Sequence, residues 1–363
     1  MQTKGEGQLA TKAKITIEDV AKAAGVSRQT VSRVINNGPN VKPAVREKVE
    51  QAIADMGYVP SLSARRMASG KSFLIMAVND RQRTLENWQA GRGNDWVDQM
   101  LYGGMTECER QGYRLVFELI TTEAGKAEQQ LSNSLAALRP DGIILTPPHS
   151  DNDALAAMLA ERGIPCARIG RRQGKHTIDV FMDEGGAAAE AAQLLLSQGR
   201  RKLAFLAGSP EYGNSQKRVE GFLQALDDAG VGRQNGMVAK ANFQFEPAVE
   251  ALEEMLVGPD RPSGIIADND EMAFAAMHVA SKLGLAVPED LAVISFEDTP
   301  GVRFSVPPLT AIRQPTSEMI GRACEQLIAS SKGEAANGSF ELPYTLVVRD
   351  TTGPKATGSD QGQ

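Results

Sequence analysis

The chain has 363 residues, enough for two or three domains, and its 42% hydrophobic and 23% charged residues are typical of a globular protein without a membrane span. Its net charge of −6 is uneven, since residues 1–70 carry 11 Lys and Arg against 6 Asp and Glu, and the remainder carries 28 against 39. A basic head on an acidic body favours a nucleic-acid-binding domain joined to a domain with another role, although chance clustering of surface charge stays an alternative.

The N-terminal residues 1–13 are polar and are expected to form a disordered tail. They contain no apolar stretch resembling a signal peptide, so we expect a cytoplasmic protein. The chain has three cysteines, which are far apart and show neither a disulfide framework nor a metal spacing. Reduced, buried thiols are therefore expected.

The first predicted element is a short helix that begins after Thr16. Thr16 can cap this helix with Asp19 as its capping-box partner, and Gly25 is expected to end it. Ser27 can cap a second helix over residues 28–36. Two helices joined by a tight turn that contains glycine form a helix-turn-helix, whose second helix enters the major groove of DNA. A third amphipathic helix, over residues 43–56, would complete a small core.

The second helix has side chains that suit the edges of bases. Its valines are expected to point inward, so its polar residues remain outside. Arg pairs with guanine O6 and N7, and Gln pairs with adenine N6 and N7. The residues expected on the outer side are Arg28, Gln29, Ser32 and Arg33.

From Phe73 onward, short β-rich runs alternate with amphipathic helical stretches. This alternation predicts an α/β body with two doubly wound halves. The segment 79–98 is longer than an ordinary loop between a strand and its helix. The predicted buried strands are 73–78, 114–119, 142–146, 203–207, 264–267 and 291–296, and the predicted helical stretches are 99–111, 187–198 and 219–229.

These residues resemble the lactose-repressor (LacI/GalR) family of bacterial transcriptional regulators. The matching segments in the head are 16–21, 24–27, 30–36, 46–49, 57–60 and 64–67, and those in the body are 207–209, 218–222, 268–273, 295–298 and 307–312. The resemblance reaches about residue 352. It implies an α-helical, lambda-repressor-like helix-turn-helix head and an α/β periplasmic-binding-protein-like body of two doubly wound subdomains.

The resemblance also implies domain bounds. We expect the helix-turn-helix domain at 14–60, a hinge helix with its linker at 61–71, an effector-binding and dimerisation domain at 72–352, and a disordered tail at 353–363. The body is expected to cross between its subdomains three times. The first subdomain would comprise 72–181 and 313–332, and the second 182–312 and 333–352.

Implied DNA contacts fall mostly on the second helix. Arg28, Gln29 and Arg33 occupy positions where the family reads bases, and neighbouring hydroxyl and amide groups touch phosphates or orient those contacts. The hinge helix enters the minor groove, where Met67 replaces the usual Leu as an apolar wedge. Lys42 replaces a common capping Ser, so the third helix is expected to begin less sharply. The expected contacts are Thr16, Ser27, Arg28, Gln29, Thr30, Ser32, Arg33, Asn36, Tyr58, Ser63, Ala64 and Met67.

The implied effector is a sugar or sugar derivative bound in the body. A donor fork, an amide and a carboxylate would meet its hydroxyls, and an aromatic ring would cover one face. Glu297 is one methylene longer than the Asp of many relatives, and Gly170 stands where some relatives have a carboxylate. Trp96 either stacks on the ligand or lies on the surface, and Arg168 is either a ligand group or a buried ion-pair partner. The expected effector residues are Asn94, Trp96, Arg168, Arg218, Phe243, Asn269 and Glu297.

The sequence gives little support to two other functions. An enzyme lacks support because His149, His176 and His278 are scattered and no phosphate-cradling loop or nucleophile elbow is present. A periplasmic binding protein would have a signal peptide and no basic head. The C-terminal tail has no leucine heptad, so we expect a homodimer through the body, and we expect no cofactor, metal or membrane partner. The prediction is a repressor-type regulator of operator DNA.

Overall fold

The computed structural model describes residues 15–35, 38–58, 65–66, 69–92, 94–172, 174, 176–334 and 338–353. The chain divides into two compact units, residues 1–72 and 73–363. Several predicted features lie outside the described residues. These are Asn36, Ser63, Ala64, Met67, most of the hinge segment, the tail 1–13, and residues 354–363 of the C-terminal tail.

The first unit contains the helices α1 (Ile17–Ala24), α2 (Arg28–Ile35) and α3 (Pro43–Met56). The predicted capping box is present, since Asp19 N donates to Thr16 Oγ1 at 3.3 Å and Thr16 N donates to Asp19 Oδ2 at 2.8 Å. Gly25 ends α1 with a φ of 66°, a left-handed conformation that glycine adopts without strain. Lys42 gives α3 no side-chain cap, as expected.

One small core holds these three helices together. In α1 the partly buried Ile17 and Ala24 flank the buried pair, and α2 and α3 each contribute buried residues three apart, so each helix turns one face to the core. The buried members are Val20, Ala21, Val31, Val34, Val49, Ala52 and Tyr58. The helix-turn-helix prediction is confirmed. It could be made from the sequence because the apolar spacing within each helix is local.

The second unit contains two six-stranded sheets. The strands are β1 (Leu74–Asp80), β2 (Arg114–Ile120), β3 (Gly142–Leu145), β4 (Cys166–Ile169), β5 (Ile178–Phe181), β6 (Leu203–Ala207), β7 (Gly236–Lys240), β8 (Gly264–Ala267), β9 (Ala292–Glu297), β10 (Thr310–Arg313), β11 (Gly338–Glu341) and β12 (Thr345–Val347). The strand order is β11-β5-β4-β3-β1-β2 in the first sheet and β12-β10-β9-β8-β6-β7 in the second. All neighbours are parallel except β10 and β12.

Helices cover the sheets and complete two lobes. They are α4 (Arg81–Gln89), α5 (Asp95–Arg110), α6 (Lys126–Leu138), α7 (Asp153–Glu161), α8 (Glu184–Ser197), α9 (Gly213–Asp228), α10 (Phe245–Met255), α11 (Asp270–Lys282) and α12 (Thr316–Ser331). Lobe 1 is the first sheet with α4–α7 and α12, and lobe 2 is the second sheet with α8–α11. Strands β1 and β6 are buried along their whole length, which explains the continuous apolar runs 74–78 and 203–207. The predicted α/β body with two doubly wound halves is confirmed.

The structure corrects two details of the predicted organisation. Residues 79–98 are not one long loop, because α4 forms within them and Asp80 caps it by accepting from Arg83 N at 3.2 Å. Residues 333–352 do not all belong to the second subdomain. Strand β11 pairs with β5, from Gly338 beside Ile178 to Glu341 beside Phe181, and so completes the edge of the first sheet. The third crossing therefore lies between β11 and β12.

The three cysteines, Cys108, Cys166 and Cys324, are buried and unbridged, which confirms the expected reduced thiols. Burial raises the pKa of the Cys166 thiol to about 12, so this thiol is unreactive near neutral pH. Among the described residues, no helix is both long enough and apolar enough to cross a membrane.

Candidate functional site

The outer face of α2 presents the predicted base-reading side chains. Arg28, Gln29 and Arg33 are exposed there, while Val31 and Val34 hold the opposite face in the core. Arg28 Nε lies 3.2 Å from Glu18 Oε1, and both side chains are mostly exposed. Such surface pairs contribute about 0–1 kcal/mol, so an acceptor on DNA can displace this one. The face is therefore available for DNA.

Hydroxyl groups surround the beginnings of α1 and α2. Ser27 Oγ accepts from Thr30 N at 3.2 Å and lies 3.0 Å from Thr30 Oγ1, so Ser27 caps α2. Thr16 Oγ1 donates to Asp19 at 2.7 Å. Burial raises the pKa of the Tyr58 phenol, with Glu18 reinforcing the rise and Arg28 opposing it, so this hydroxyl stays protonated. Ser32 is partly exposed on α2. Contact of these groups with DNA stays a prediction.

A cavity of about 450 Å³ lies between the two lobes, beyond the carboxyl ends of β1, β6, β8 and β9. This is the usual position and size of a ligand site in doubly wound folds. A second cavity of about 210 Å³ adjoins it and shares Trp96 and Glu297. Of the predicted effector residues, those lining the larger cavity are Asn94, Trp96, Arg218, Phe243, Asn269 and Glu297.

Arg168 does not line the cavity, so its prediction as an effector contact is wrong. Its side chain is buried in lobe 1, where Nε donates to Ser150 O at 2.6 Å and Nη2 lies 2.9 Å from Asp153 Oδ1. The hydrogen bond from Arg168 lowers the pKa of Asp153. The alternative interpretation, a buried ion-pair partner, is the one that the structure supports.

Arg218 is held by two buried carboxylates. Its Nε donates to Glu184 Oε2 at 2.7 Å, and its Nη1 donates to Asp268 Oδ1 at 2.6 Å. The guanidinium also lies 4.2 Å from the centre of the Phe296 ring. Burial raises the pKa of Glu184, and the charge of Arg218 opposes that rise. Two of the three guanidinium nitrogens are thus occupied, and the charge of Arg218 is already compensated.

Asn269 positions a neighbouring aromatic ring as well as lining the cavity. Its Oδ1 accepts from Met272 N at 3.0 Å and caps α11, and its Nδ2 donates to Phe243 O at 3.1 Å. Phe243 has a φ of 57°, which is strained for a side chain of this size. A Cβ at Gly208 would lie 2.0 Å from this ring, so any larger residue there would have to displace the ring. Asn269 therefore acts on the ligand site through Phe243.

Glu297 ends β9 with a φ of 101°, another strained conformation at the cavity. Within the described part of the chain, its carboxylate has no hydrogen-bond partner. Burial raises its pKa, and Asp270, Asp95 and Asp268 add to the rise while Arg218 opposes it. Asp270 accepts from Ser295 Oγ at 2.5 Å and Thr299 N at 2.7 Å, and burial raises its pKa to about 6. Among the described residues, no three His, Cys, Asp or Glu side chains lie together in a way that could hold a metal ion.

Contacts that bridge the lobes were missed from the sequence. Tyr212 Oη donates to Asp80 Oδ2 at 2.8 Å, and Arg83 donates to Asn242 O at 3.0 Å and to Asn242 Oδ1 at 2.7 Å. The Arg83 guanidinium also lies 5.0 Å from the centre of the Phe243 ring. The one sequence signal for these contacts is the unusual length of segment 79–98, which contains α4 and Arg83.

Two family models match the chain. Residues 16–61 match the model described as "Bacterial regulatory proteins, lacI family", and residues 192–352 match a "Periplasmic binding protein-like domain". The first match covers the helix-turn-helix, and the second covers most of lobe 2 with the end of lobe 1.

Similar proteins match nearly the whole chain. The HTH-type transcriptional regulator CelR of Thermobifida fusca is 33% identical over 339 residues, which are 92% of this chain and 95% of that protein. A solved CelR–cellobiose complex has 30% identity and a TM-score of 0.66, covering 93% of this chain and 99% of that one. A lac repressor dimer bound to operator and the anti-inducer ONPF has 26% identity and a TM-score of 0.74, covering 94% and 99%.

Proposed function

Because the chain belongs to the lacI family of bacterial regulatory proteins, we propose that it represses transcription by binding a palindromic operator as a homodimer, and that a saccharide in the interlobe cavity changes this binding. Like its relatives, the protein is a transcriptional regulator and not an enzyme. One observation carries the proposal: Arg28, Gln29 and Arg33 are exposed on α2 of a complete helix-turn-helix. A regulator of chromosomal operators works in the cytoplasm, associated with the nucleoid when it is bound to DNA.

Operator recognition requires two copies of the head. Recognition helices of a symmetric dimer read half-sites about 34–36 Å apart, so a twofold axis in the protein matches a palindrome in the DNA. In this scheme Arg28 and Gln29, at the start of α2, contact base edges. Ser27 and Thr30, which share the capping interaction, lie beside them for phosphate contacts.

The body exposes large apolar side chains at two places in the chain. Tyr102 and Met105 lie three residues apart on α5 and are 67% and 58% exposed, and Phe304 and Val306, after β9, are 81% and 92% exposed. Large apolar side chains this exposed are typical of protein interfaces. We assign them to contact with a second copy of the chain.

The cavity supplies the switch. Both lobes line it and are joined across it by Tyr212 and Arg83, so a ligand between them favours one arrangement of the lobes. A ligand changes DNA affinity only by as much as its own affinity differs between two arrangements, typically about 1–3 kcal/mol. The cellobiose complex of the similar CelR supports a saccharide in this role.

The test combines DNA selection with ligand screening. A random duplex library is selected with the full-length protein, and the enriched sequence is measured by fluorescence anisotropy with and without monosaccharides and oligosaccharides. The proposal predicts an enriched palindrome, and it predicts one saccharide that both raises the melting temperature and changes operator affinity. Enrichment of no sequence, or saccharide binding that leaves operator affinity unchanged, contradicts it.

A further inference from the structure

Helix α4 lies between the interlobe cavity and solvent. Arg83, Thr84 and Asn87 line the cavity, and their spacing places them on one face of the helix. The opposite face carries Gln82 and Gln89, which are exposed. Among the described residues, the side-chain amide of Asn87 has no hydrogen-bond partner. A polar inner face and an exposed outer face indicate that α4 covers a ligand cavity and not an apolar core.

Apolar packing holds α4 only weakly. Leu85 and Trp88 are its two apolar residues, and within the described part of the chain neither belongs to a hydrophobic core. Trp88 is exposed, and its ring centre lies 6.2 Å from that of Phe117. Elements with few buried apolar contacts open locally at a small cost in free energy. Helix α4 can therefore move without unfolding the lobe.

Polar contacts tie the first turn of α4 to β1. Asp80 Oδ1 accepts from Arg83 N at 3.2 Å, and Asn79 Nδ2 donates to Oγ1 of the buried Thr84 at 2.8 Å. Beyond Thr84, no side chain of α4 forms a hydrogen bond with lobe 1 in the part of the chain that the structure describes. The second half of the helix and the turn after it are therefore free to move when their contacts with lobe 2 break.

Two arginines connect this segment to lobe 2. Arg83 Nη1 donates to Asn242 O at 3.0 Å, and Arg83 Nη2 donates to Asn242 Oδ1 at 2.7 Å. Arg92 Nη2 lies 3.0 Å from Glu246 Oε2, in a pair that is partly exposed. We call these two pairs the clasp. When the clasp is closed, Arg83 Nε is buried and has no hydrogen-bond partner among the described residues. An unpaired buried donor is destabilising, so this cost keeps the clasp weak.

Other contacts hold the lobes together when the clasp is open. Lys217 Nζ donates to Gly170 O at 2.6 Å, and Gly213 N donates to Asp151 Oδ2 at 3.2 Å. All four of these residues lie outside the lining of the cavity. Opening of the clasp therefore need not separate the lobes.

We propose that α4 gates the interlobe cavity: the clasp closes this side of the cavity, and it opens to let a small molecule enter and leave while the lobes stay joined. The gate governs access to the cavity and does not depend on which molecule binds there. Its failure would leave the proposed saccharide-controlled repressor standing, and an effector of another class would leave the gate standing.

Collisional quenching by acrylamide tests the gate in the full-length protein without any ligand. The chain has two tryptophans, and Trp88→Phe leaves Trp96, which lines the cavity, as the single one. In this background, Arg83→Met should raise the quenching rate constant of Trp96 at least about threefold, because two hydrogen bonds that close the cavity are lost. Arg92→Met should raise the rate constant to a smaller extent, since its ion pair is partly exposed.

Arg81→Met is the matched control. Arg81 is exposed at the start of α4, and its side chain has no hydrogen bond or ion pair among the described residues. Its replacement removes the same charge and leaves the clasp intact, so Trp96 quenching should stay at the level of the Trp88→Phe background. Amide hydrogen exchange followed by mass spectrometry locates the change. Residues 86–91 should exchange faster in Arg83→Met, while the buried strands β1 and β6 should be unchanged.

Each of four results would overturn the proposal. If Arg83→Met leaves Trp96 quenching unchanged, the clasp does not close the cavity. If Arg81→Met raises quenching as much as Arg83→Met does, loss of positive charge and not the clasp sets the access. Unchanged exchange at residues 86–91 would show that α4 does not move when the clasp is broken. Faster exchange in β1 and β6 as well would show that α4 opens only together with the lobes.

Discussion

Replacing Arg218 should destabilise the body strongly, before any question of ligand arises. The change Arg218→Met keeps much of the apolar volume and removes the charge. It leaves Glu184, 3% exposed, and Asp268, 1% exposed, without the cation that now lies 2.7 Å and 2.6 Å from their oxygens. Two carboxylates would then be buried close together, with Lys217 as the remaining cation that acts on Glu184.

The expected loss follows from the cost of an unpaired buried charge. Removing one partner of a buried ion pair costs about 3–5 kcal/mol, and here a single partner serves two acids. Lost contact of the guanidinium with the Phe296 ring adds about 0.5–2 kcal/mol. The total loss of stability is limited because one of the two acids can take up a proton and become neutral. Glu184 is the better placed of the two, since burial already raises its pKa. We therefore expect at least about 3 kcal/mol, a large fraction of the stability of an ordinary domain.

The pH dependence has a definite sign. Without Arg218, the pKa of Glu184 in the folded protein rises further above its value in the unfolded chain. Between those two pKa values the folded state binds more protons, so stability falls as pH rises. The deficit of the Arg218→Met variant should therefore be larger at pH 8 than at pH 5. Adding Glu184→Gln removes one unpaired charge and should recover part of the loss.

Urea unfolding followed by circular dichroism measures these effects. The matched control is Arg233→Ala, because Arg233 also contacts two acids, Asp227 at 2.8 Å and Glu220 at 3.1 Å, but on the surface. The urea concentration at the unfolding midpoint of this variant should stay close to that of the wild type, since exposed ion pairs contribute little to stability. If Arg218→Met and Arg233→Ala shifted the midpoint equally, the assignment of Arg218 to a buried charge cluster would be refuted.

Three further predictions concern the exposed face of α2, the exposed apolar residue Tyr102 and the Phe243 ring at the cavity. Arg28→Ala or Gln29→Ala should weaken binding to the selected operator by about 1–3 kcal/mol and barely change binding to random DNA; equal losses on both DNAs would contradict base readout. Tyr102→Glu should shift the protein from dimer to monomer in analytical ultracentrifugation, and an unchanged dimer would remove this surface from the interface. Gly208→Ala should displace the Phe243 ring and weaken saccharide binding in calorimetry with the fold retained in circular dichroism, whereas unchanged affinity would show that the ring does not matter.

The sequence by itself determined the head and the class of the body. The capping box at Thr16 and Asp19, the turn at Gly25 and the apolar spacing of the three helices are interactions between close neighbours in the chain. Continuous apolar runs marked strands such as β1 and β6, because helices bury both faces of a parallel sheet. Six residues that line the cavity, all of them buried or partly buried, were also predicted from the family resemblance.

Only the tertiary structure decided the chemistry of the cavity. The sequence allows Arg168 either a ligand contact or an ion pair, and the structure places Asp153 beside it. Arg218 meets Glu184 and Asp268 across separations of 34 and 50 residues, and Arg83 reaches Asn242 across 159. Parallel strands bring their carboxyl ends to one edge regardless of the chain length between them, so no local spacing shows which side chains there will neutralise one another.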